Sequence, residues 1–350
     1  MPMNRKPLVY FERWFDPIAA RILSEQDDIE LIRLEYASPK SDNWTELSRA
    51  CGYQVGARTE LVEPWFGSAD LLARCPNMLA LCAIGAGHDV IDVDACNAAG
   101  VIVCNQSGTN NEAVAEHAIG LMLALSKKIS LTNRVLLRGE AHSRYALIGN
   151  DLQHKTAGIV GIGKIGSRTA KFCAAFDMTV LAYDPYLTEQ EVAARGATKV
   201  TLPALLERAD FVLVHCPRTA ETLGMFGAAE FARMKPSAFF INTARGKIHQ
   251  EDALLDALLH KRLAGAGLDV FDTEPPPADH PLLLLDNVVA TPHIAGATVE
   301  SNRSMSVAAA EQWIGLLRGR APPRLVNPEA WPRYCERFRE IIGFLPDPIE

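Results

Sequence analysis

Ala157-Gly158-Ile159-Val160-Gly161-Ile162-Gly163-Lys164-Ile165-Gly166 runs from a short apolar segment, through a glycine-rich turn, into a helical pattern that continues to Ala175. Strand, turn and helix in that order suit a dinucleotide phosphate. Gly161 permits the tight turn, Gly163 lets the backbone approach a pyrophosphate, and Gly166 allows close helix–strand packing, with the helix N-terminus facing the negative charge. Lys164 and Ile165 lie inside the loop and join the glycines as candidate cofactor contacts. Taken alone, the glycine spacing is also met by ordinary turn chemistry. The next strand ends at Tyr183-Asp184, and Asp184 lies 18 residues past Gly166, near the spacing of an acidic residue that holds the adenosine ribose. A ribose 2′-phosphate would be repelled there, which favours NAD over NADP; a solvated strand-end carboxylate is the plain alternative.

The same rhythm continues on both sides of the loop. Around it, apolar runs at 158–160, 179–183, 211–215, 238–242, 264–268 and 288–290 are separated by helical stretches. Before it, runs at 8–11, 29–34, 53–56, 79–84 and 101–104 alternate with helical patterns such as 16–24 and 92–99. Continuously apolar strands belong in parallel sheets covered on both faces, so the chain reads as α/β with two doubly wound sheets. Between the two series, residues 110–129 place Val114, Ala118, Leu121, Met122, Leu125 and Ile129 on one helical face, with Asn110 or Asn111 as the cap. A second long pattern, 305–317, lines up Met305, Ala308, Ala309, Trp313, Leu316 and Leu317, and Pro322-Pro323 ends it. Both suit core helices, or connectors crossing between two domains.

Composition narrows the function classes. The chain has 350 residues, 48% of them apolar, which supports two cores and excludes a disordered tail. With 35 Lys+Arg against 42 Asp+Glu, the net charge of −7 gives no general attraction to nucleic acid. The apolar run 118–125 is far short of the roughly 20 residues a bilayer needs, and the N-terminus lacks a signal-peptide pattern. No membrane partner is expected. Cys51, Cys75, Cys82, Cys96, Cys104, Cys173, Cys216 and Cys335 form no C-x-x-C pair, so they read as buried reduced thiols of a cytoplasmic protein rather than a disulfide or zinc framework. No metal site is expected.

The remaining chemistry lies just after later strands, where an open α/β sheet places its ligands. Arg245 follows 238–242, Glu274 follows 264–268 and His293 follows 288–290. Each alone is an ordinary rim charge or a satisfied histidine. Together they form a set for hydride transfer between a nicotinamide and a 2-keto acid. His293 donates the proton to the carbonyl oxygen, Arg245 holds the carboxylate and polarises the carbonyl, and Glu274 beside the imidazole favours its charged form. Reduction should then run best on the acidic side of the profile and oxidation at higher pH.

These motifs resemble the D-isomer-specific 2-hydroxyacid dehydrogenases, which include phosphoglycerate dehydrogenases and glyoxylate/hydroxypyruvate reductases. The likeness spans roughly 55–327. It is carried by Ile84-Gly85-Ala86-Gly87-His88-Asp89-Val90-Ile91-Asp92, by Asn105 to Asn110 with Val114-Ala115-Glu116, and by the glycine loop with Tyr183-Asp184-Pro185. It continues through residues 209–217, Asn242-Thr243-Ala244-Arg245-Gly246, Gly267-Leu268-Asp269-Val270-Phe271 and Thr291-Pro292-His293-Ile294. The resemblance implies Arg245, Glu274 and His293 as the catalytic triad and Asp269 on the nicotinamide carboxamide. It implies further cofactor contacts from His215, Pro217, Thr222, Thr243 and Ala244, and a substrate carboxylate on the backbone of Ala86 and Gly87. It also implies a flavodoxin-like substrate domain (1–112 and 299–350) with an inserted Rossmann NAD-binding domain (113–298), the two long helices as crossings, and a homodimer formed with the helix after Asn110.

Some positions depart from the family pattern: Ser107 stands where proline is usual, Arg218 and Gln250 are atypical, and the chain extends past Asn327. The family's formate branch pairs its histidine with glutamine, so Glu274 argues against formate. Arg58 is a candidate cation for a phosphorylated substrate, but Gly56 stands where phosphoglycerate enzymes often have a second arginine. Phosphoglycerate and an unphosphorylated acid such as hydroxypyruvate or glyoxylate both remain open. The alternative outside enzymology is an NAD(H)-sensing corepressor-like binding protein, a class expected to carry polar tails or a peptide surface.

Overall fold

A computed structural model describes residues 5–58, 60–140 and 143–349. Contacts divide them into two compact units: the described residues up to Asn110 together with those from Thr298 onward, and Asn111–Ala297. The junctions fall immediately ahead of the two long helices, Asn111–Ser126 and Val299–Leu317.

The first unit carries β1 (Lys6–Phe11), β2 (Ile29–Leu34), β3 (Gly52–Val55), β4 (Ala80–Ala83) and β5 (Ile102–Cys104) in one parallel sheet, ordered β2-β1-β3-β4-β5. This is the flavodoxin-like order. Alternation sends Leu8, Ala80, Cys82, Ile102 and Cys104 to one face, packed with Trp313, Tyr334 and Phe338. Val9, Phe11, Tyr53, Leu81 and Val103 line the other, packed with Leu47, Trp65 and Leu71. A Cβ on Gly52 would stand 2.5 Å from the Trp313 ring, so glycine is what lets that indole lie against the sheet. The indole N–H donates to Gln54 Oε1 at 2.6 Å, and Gln54 Nε2 donates to the Cys82 carbonyl, so this buried polar pair is satisfied. The extension past Asn327 forms the helix Trp331–Ile342, which buries Trp331, Tyr334 and Phe338 in the first face.

The second unit holds β6 (Thr156–Val160), β7 (Thr179–Tyr183), β8 (Thr198–Lys199), β9 (Phe211–Val214), β10 (Phe239–Asn242), β11 (Gly265–Leu268) and β12 (Val288–Ala290). They form one parallel sheet in the order β12-β11-β10-β9-β6-β7-β8. The order reverses between β6 and β9, the switch point of a Rossmann fold, and the glycine loop leaves β6 there. Val212, Val214 and Phe240 pack with Leu205, Phe231 and Leu254 on one face; Phe211, Leu213 and Ile241 pack with Leu121, Met122 and Cys173 on the other.

Two helix expectations need correcting. The pattern 110–129 is not one helix: it stops at Ser126, and a separate helix, Ile129–Leu137, follows. Lys128 adopts φ 54°, and the chain at Asn150 takes the terminal hydrogen bonds, with Asn150 N–H donating to Ser126 O and Ser126 Oγ donating to Asn150 O. Ile129 therefore leaves the apolar stripe and is 55% exposed. Asn110 does not cap the helix through its side chain, since its Oδ1 has no hydrogen-bond partner among the described residues. The second long helix begins earlier than its stripe, at Val299 with Thr298 as cap, and ends at Leu317 before Gly319 at φ 83°, ahead of the proline pair. All eight cysteines are free, seven of them buried. Among the described residues no helix is long and apolar enough to cross a membrane.

Candidate active site

The loop after β6 is shaped for close approach. Gly161 takes φ 87°, and a Cβ there would stand 2.6 Å from the Cys216 nitrogen; a Cβ on Gly166 would stand 2.2 Å from the Gly161 carbonyl oxygen. Gly163 differs: its Cβ position opens on empty space at the head of the helix Lys164–Ala175, whose first turn carries no acidic residue. An exposed backbone at a helix N-terminus, with room before it, fits a pyrophosphate. Lys164 is exposed and Ile165 half-buried at that end. Asp184, at the end of β7, accepts the Ile162 N–H at 3.2 Å and the Tyr186 N–H at 3.1 Å. On the other side of the same residue, Arg195 Nη1 donates to the Ile162 carbonyl at 2.7 Å. The loop is thus held by one carboxylate and one guanidinium.

Arg245, Glu274 and His293 follow β10, β11 and β12, three neighbouring strands, and so reach one end of the sheet. His293 Nδ1 lies 2.8 Å from Glu274 Oε2, and the other Glu274 oxygen accepts the Phe271 N–H at 3.1 Å. Burial pulls the Glu274 carboxyl upward, but the hydrogen bond and charge of His293, the Phe271 N–H and the nearby Arg245 charge outweigh it and hold the group below its ordinary value. Glu274 is therefore ionised and can only accept, so His293 Nδ1 carries the proton of the contact and Nε2 is the nitrogen left for chemistry. Arg245 Nη1 donates to the Ala244 carbonyl at 2.6 Å. Its loop is pinned by the fully buried Asn242, which donates to the Arg245 carbonyl and accepts the Ala244 N–H, each at 2.9 Å. Gly246 must be glycine for space, because its Cβ would stand 2.0 Å from the Phe271 oxygen.

His293 itself has φ 56°. The turn that imposes this is built on Asp269, which is 1% exposed. Asp269 Oδ1 accepts from Ile294 N–H at 2.9 Å and from Thr291 Oγ1 at 2.6 Å; Oδ2 accepts from Ala295 N–H at 2.9 Å. His117 Nε2 lies 2.9 Å from Thr291 Oγ1. Thr291 has one hydroxyl proton and gives it to Asp269, so His117 Nε2 is the donor in that contact.

Other expected cofactor residues line the neighbouring strand ends. His215 follows β9, with Nε2 3.1 Å from Thr169 Oγ1 and Nδ1 3.4 Å from Thr243 Oγ1; burial pushes its pKa down to about 4. Thr222 Oγ1 donates to the Pro217 carbonyl at 2.7 Å and accepts the Thr219 N–H at 2.8 Å, which closes the loop after β9. Ala86, Gly87 and Arg58 belong to the first unit and are described with it. Ala86 and Gly87 lie after β4, where Asn105 Nδ2 donates to the Ala86 carbonyl at 2.9 Å and Gln106 N–H donates to the Gly85 carbonyl at 2.9 Å. Asn105 Oδ1 also accepts the Ser107 N–H at 3.0 Å, so the loop with the atypical serine is internally tied. Arg58 is exposed on the loop after β3.

Sequence reasoning overlooked four contributors: His117, Asn242, Arg195 and Thr291. Asn242 and Thr291 sat inside quoted motifs without a role. His117 flanks an apolar helix and Arg195 ends an ordinary one, so neither spacing nor composition marked them.

Residues 119–295 match the profile of the D-isomer specific 2-hydroxyacid dehydrogenase, NAD binding domain. The glyoxylate reductase of Korarchaeum cryptofilum is 35% identical over 327 residues, covering 93% of this chain and 97% of that protein. The D-3-phosphoglycerate dehydrogenase of Archaeoglobus fulgidus is 39% identical over 259 residues, covering 74% of this chain and 49% of that protein. The chain thus spans about half the length of the phosphoglycerate dehydrogenases it matches. Among solved structures, the D-lactate dehydrogenase of Aquifex aeolicus complexed with NAD and lactic acid superposes with a TM-score of 0.76 at 27% identity, over 89% of this chain and 96% of that one. The chain belongs to the D-isomer-specific 2-hydroxyacid dehydrogenase family, and the profile it matches is that family's NAD-binding domain.

Proposed function

We propose that the chain is an NAD-dependent oxidoreductase that interconverts a small D-2-hydroxy acid and its 2-keto acid. The observation that carries this reading is the 2.8 Å contact of His293 Nδ1 with an ionised Glu274, at the same end of the sheet as a glycine loop suited to a pyrophosphate. The bound nicotinamide supplies the hydride in the reducing direction. His293 delivers the Nε2 proton to the carbonyl oxygen as it becomes a hydroxyl, and Glu274 stabilises the imidazolium before transfer. Arg245 brings a fixed positive charge to the substrate carboxylate and the carbonyl dipole. The family resemblance assigns Ala86 and Gly87, in the other unit, backbone N–H groups for a substrate carboxylate. In this reading Asp184 takes the adenosine ribose, Gly161, Gly163, Lys164, Ile165 and Gly166 take the pyrophosphate, and His215, Pro217, Thr222, Thr243 and Ala244 border the cofactor. Asp269 would hold the nicotinamide carboxamide through the one carboxylate lone pair, on Oδ2, that its own turn leaves free.

The substrate is a short 2-keto acid of the glyoxylate or hydroxypyruvate class. A phosphorylated substrate would call on Arg58, in a loop that also carries Glu60, paired with Arg13 at 2.9 Å. NADH oxidation with glyoxylate, hydroxypyruvate, pyruvate and 3-phosphohydroxypyruvate tests the reading. Background rates with all four, despite measured NADH binding, would leave the corepressor-like alternative in its place. Turnover confined to 3-phosphohydroxypyruvate and lost in Arg58→Ala would move the substrate to the phosphorylated class.

The same proposal includes a homodimer in a reducing cytoplasm. Ile129, Leu136 and Leu137 on the helix Ile129–Leu137, with Tyr145 and Ile148 beyond it, are 55 to 86% exposed, more apolar surface than one short segment leaves in water without a partner. Light scattering should report twice the chain mass, and Leu136→Glu/Leu137→Glu should halve it.

A further inference from the structure

We propose that His117 is a positioning residue for proton transfer at His293, acting through Thr291 and Asp269; this rests on the proposed role of His293 as the proton donor. The chain of contacts is continuous and its polarity is determined. Asp269 accepts two main-chain N–H groups from the turn, at Ile294 and Ala295, and the Thr291 hydroxyl proton at 2.6 Å. The Thr291 oxygen then has only lone pairs to offer, and His117 Nε2 donates to it at 2.9 Å, lying 3.7 Å from Asp269 Oδ1. The main chain closes the device, with His293 N–H donating to the Asp269 carbonyl at 2.8 Å and to the Thr291 carbonyl at 3.1 Å.

Each link removes one freedom from His293. A threonine hydroxyl turns among three staggered positions, and the His117 donor selects the one that aims its proton at Asp269. With that proton in place, Asp269 Oδ1 is held between Thr291 and Ile294, and the left-handed φ of 56° at His293 is over-determined. Without the donor, Thr291 Oγ1 is free to rotate, the carboxylate loses one of its three short partners, and the turn relaxes toward unstrained backbone. The imidazole then swings relative to Glu274. His117 touches none of the reacting atoms in this scheme. It sits seven positions into the helix Asn111–Ser126, so the helix itself becomes part of the donor's mounting.

The test compares His117→Leu, which removes the donor, with His117→Gln, whose side-chain amide donates from about the same place. For keto-acid reduction, His117→Leu should lower kcat by about 10- to 100-fold with the KM for NADH within about twofold, since a small misplacement costs the chemical step and not cofactor binding. His117→Gln should stay within about threefold of the parent kcat, as expected when a hydrogen bond to the threonine is retained. Thr291→Val should cost as much as His117→Leu, and the double variant no more than either alone. Equal losses in His117→Leu and His117→Gln, or losses that multiply in the double variant, would overturn the proposal.

A second readout needs no turnover. In histidine-labelled protein without substrate, the His293 Nδ1–H signal, identified by its absence in His293→Gln, should be present in the parent and in His117→Gln and broadened or shifted in His117→Leu. An unchanged signal in His117→Leu overturns the inference. A parent protein that shows this signal pattern but reduces no keto acid counts against the proposed function and not against the positioning.

Discussion

His293 holds a backbone conformation that costs a non-glycine residue about 1 to 2 kcal/mol, and it does so beside an ionised carboxylate at 2.8 Å. Strain of that kind persists where the surroundings leave no other choice, and here Asp269 supplies them with both carboxylate oxygens and its carbonyl. Replacing the imbalance of donors and acceptors at this point has a direct outcome. His293→Ala should lose about two to four orders of magnitude in turnover while NADH titration still reports near-parental binding; retained turnover would show that another group delivers the proton. Asp184 tells a different story at the same scale. Its two oxygens already accept the Ile162 and Tyr186 amides, so it both shapes the glycine loop and sets the charge beside it. Asp184→Ala should narrow the ratio of kcat/KM for NADH over NADPH by about tenfold or more, the weight of one unfavourable charge contact of about 1.4 kcal/mol. An unchanged ratio would remove Asp184 from cofactor choice.

At the scale of the element, the turn after β6 is governed by contacts no longer than a methyl group. A Cβ at Gly166 meets the Gly161 oxygen at 2.2 Å, backbone against backbone, so neither side can step aside cheaply. Gly166→Ala should lower stability by about 1 to 3 kcal/mol and weaken NADH binding at least tenfold, read by urea denaturation and fluorescence titration; parental affinity would mean the loop does not meet the cofactor. This loop was legible in the sequence because strand, glycines and helix are contiguous. The residues after β10, β11 and β12 were legible because strand ends in a parallel sheet fall together whatever their separation in the chain. His117 was not, because its partner Thr291 lies 174 positions away and nothing in a helix pattern points outward to it. Arg195 was missed for the same reason. The break after Ser126 was missed because apolar spacing runs on through Lys127 and Lys128; what ends the helix is the distant Asn150, a tertiary partner that overrides a local period.

In the whole molecule, two parallel-sheet units were readable from their rhythm and their flavodoxin-like and Rossmann topologies from the family resemblance, while the role of the C-terminal extension was not: its helix has an amphipathic pattern, but only the packed structure shows Trp331, Tyr334 and Phe338 completing the core of the first unit. Buried histidines make the second unit sensitive to acid. His249 is 1% exposed, and burial holds its pKa at about 4, against 6.5 in the open chain. Unfolding therefore takes up a proton below pH 6.5 that the folded form refuses until pH 4, so the stabilisation is complete above pH 6.5 and is lost as the pH falls between the two values. The loss approaches roughly 3 kcal/mol for this one residue. Urea midpoints should fall over that interval in the parent and fall less steeply in His249→Leu; parallel curves would mean the imidazole is not the titrating group.

The discontinuity of the first unit also sets an order of birth. β1 and β3 leave the ribosome early, yet Trp313, which fills the space above Gly52, follows only after the 187 residues of Asn111–Ala297 have been made. At roughly 5 to 20 residues per second that is a wait of about 10 to 40 s, during which that face of a nascent sheet has only the helix Ile18–Ser24 as cover. The second unit, continuous in the chain, is free to fold first, and the first is closed only once Trp313 and the helix Trp331–Ile342 have followed it.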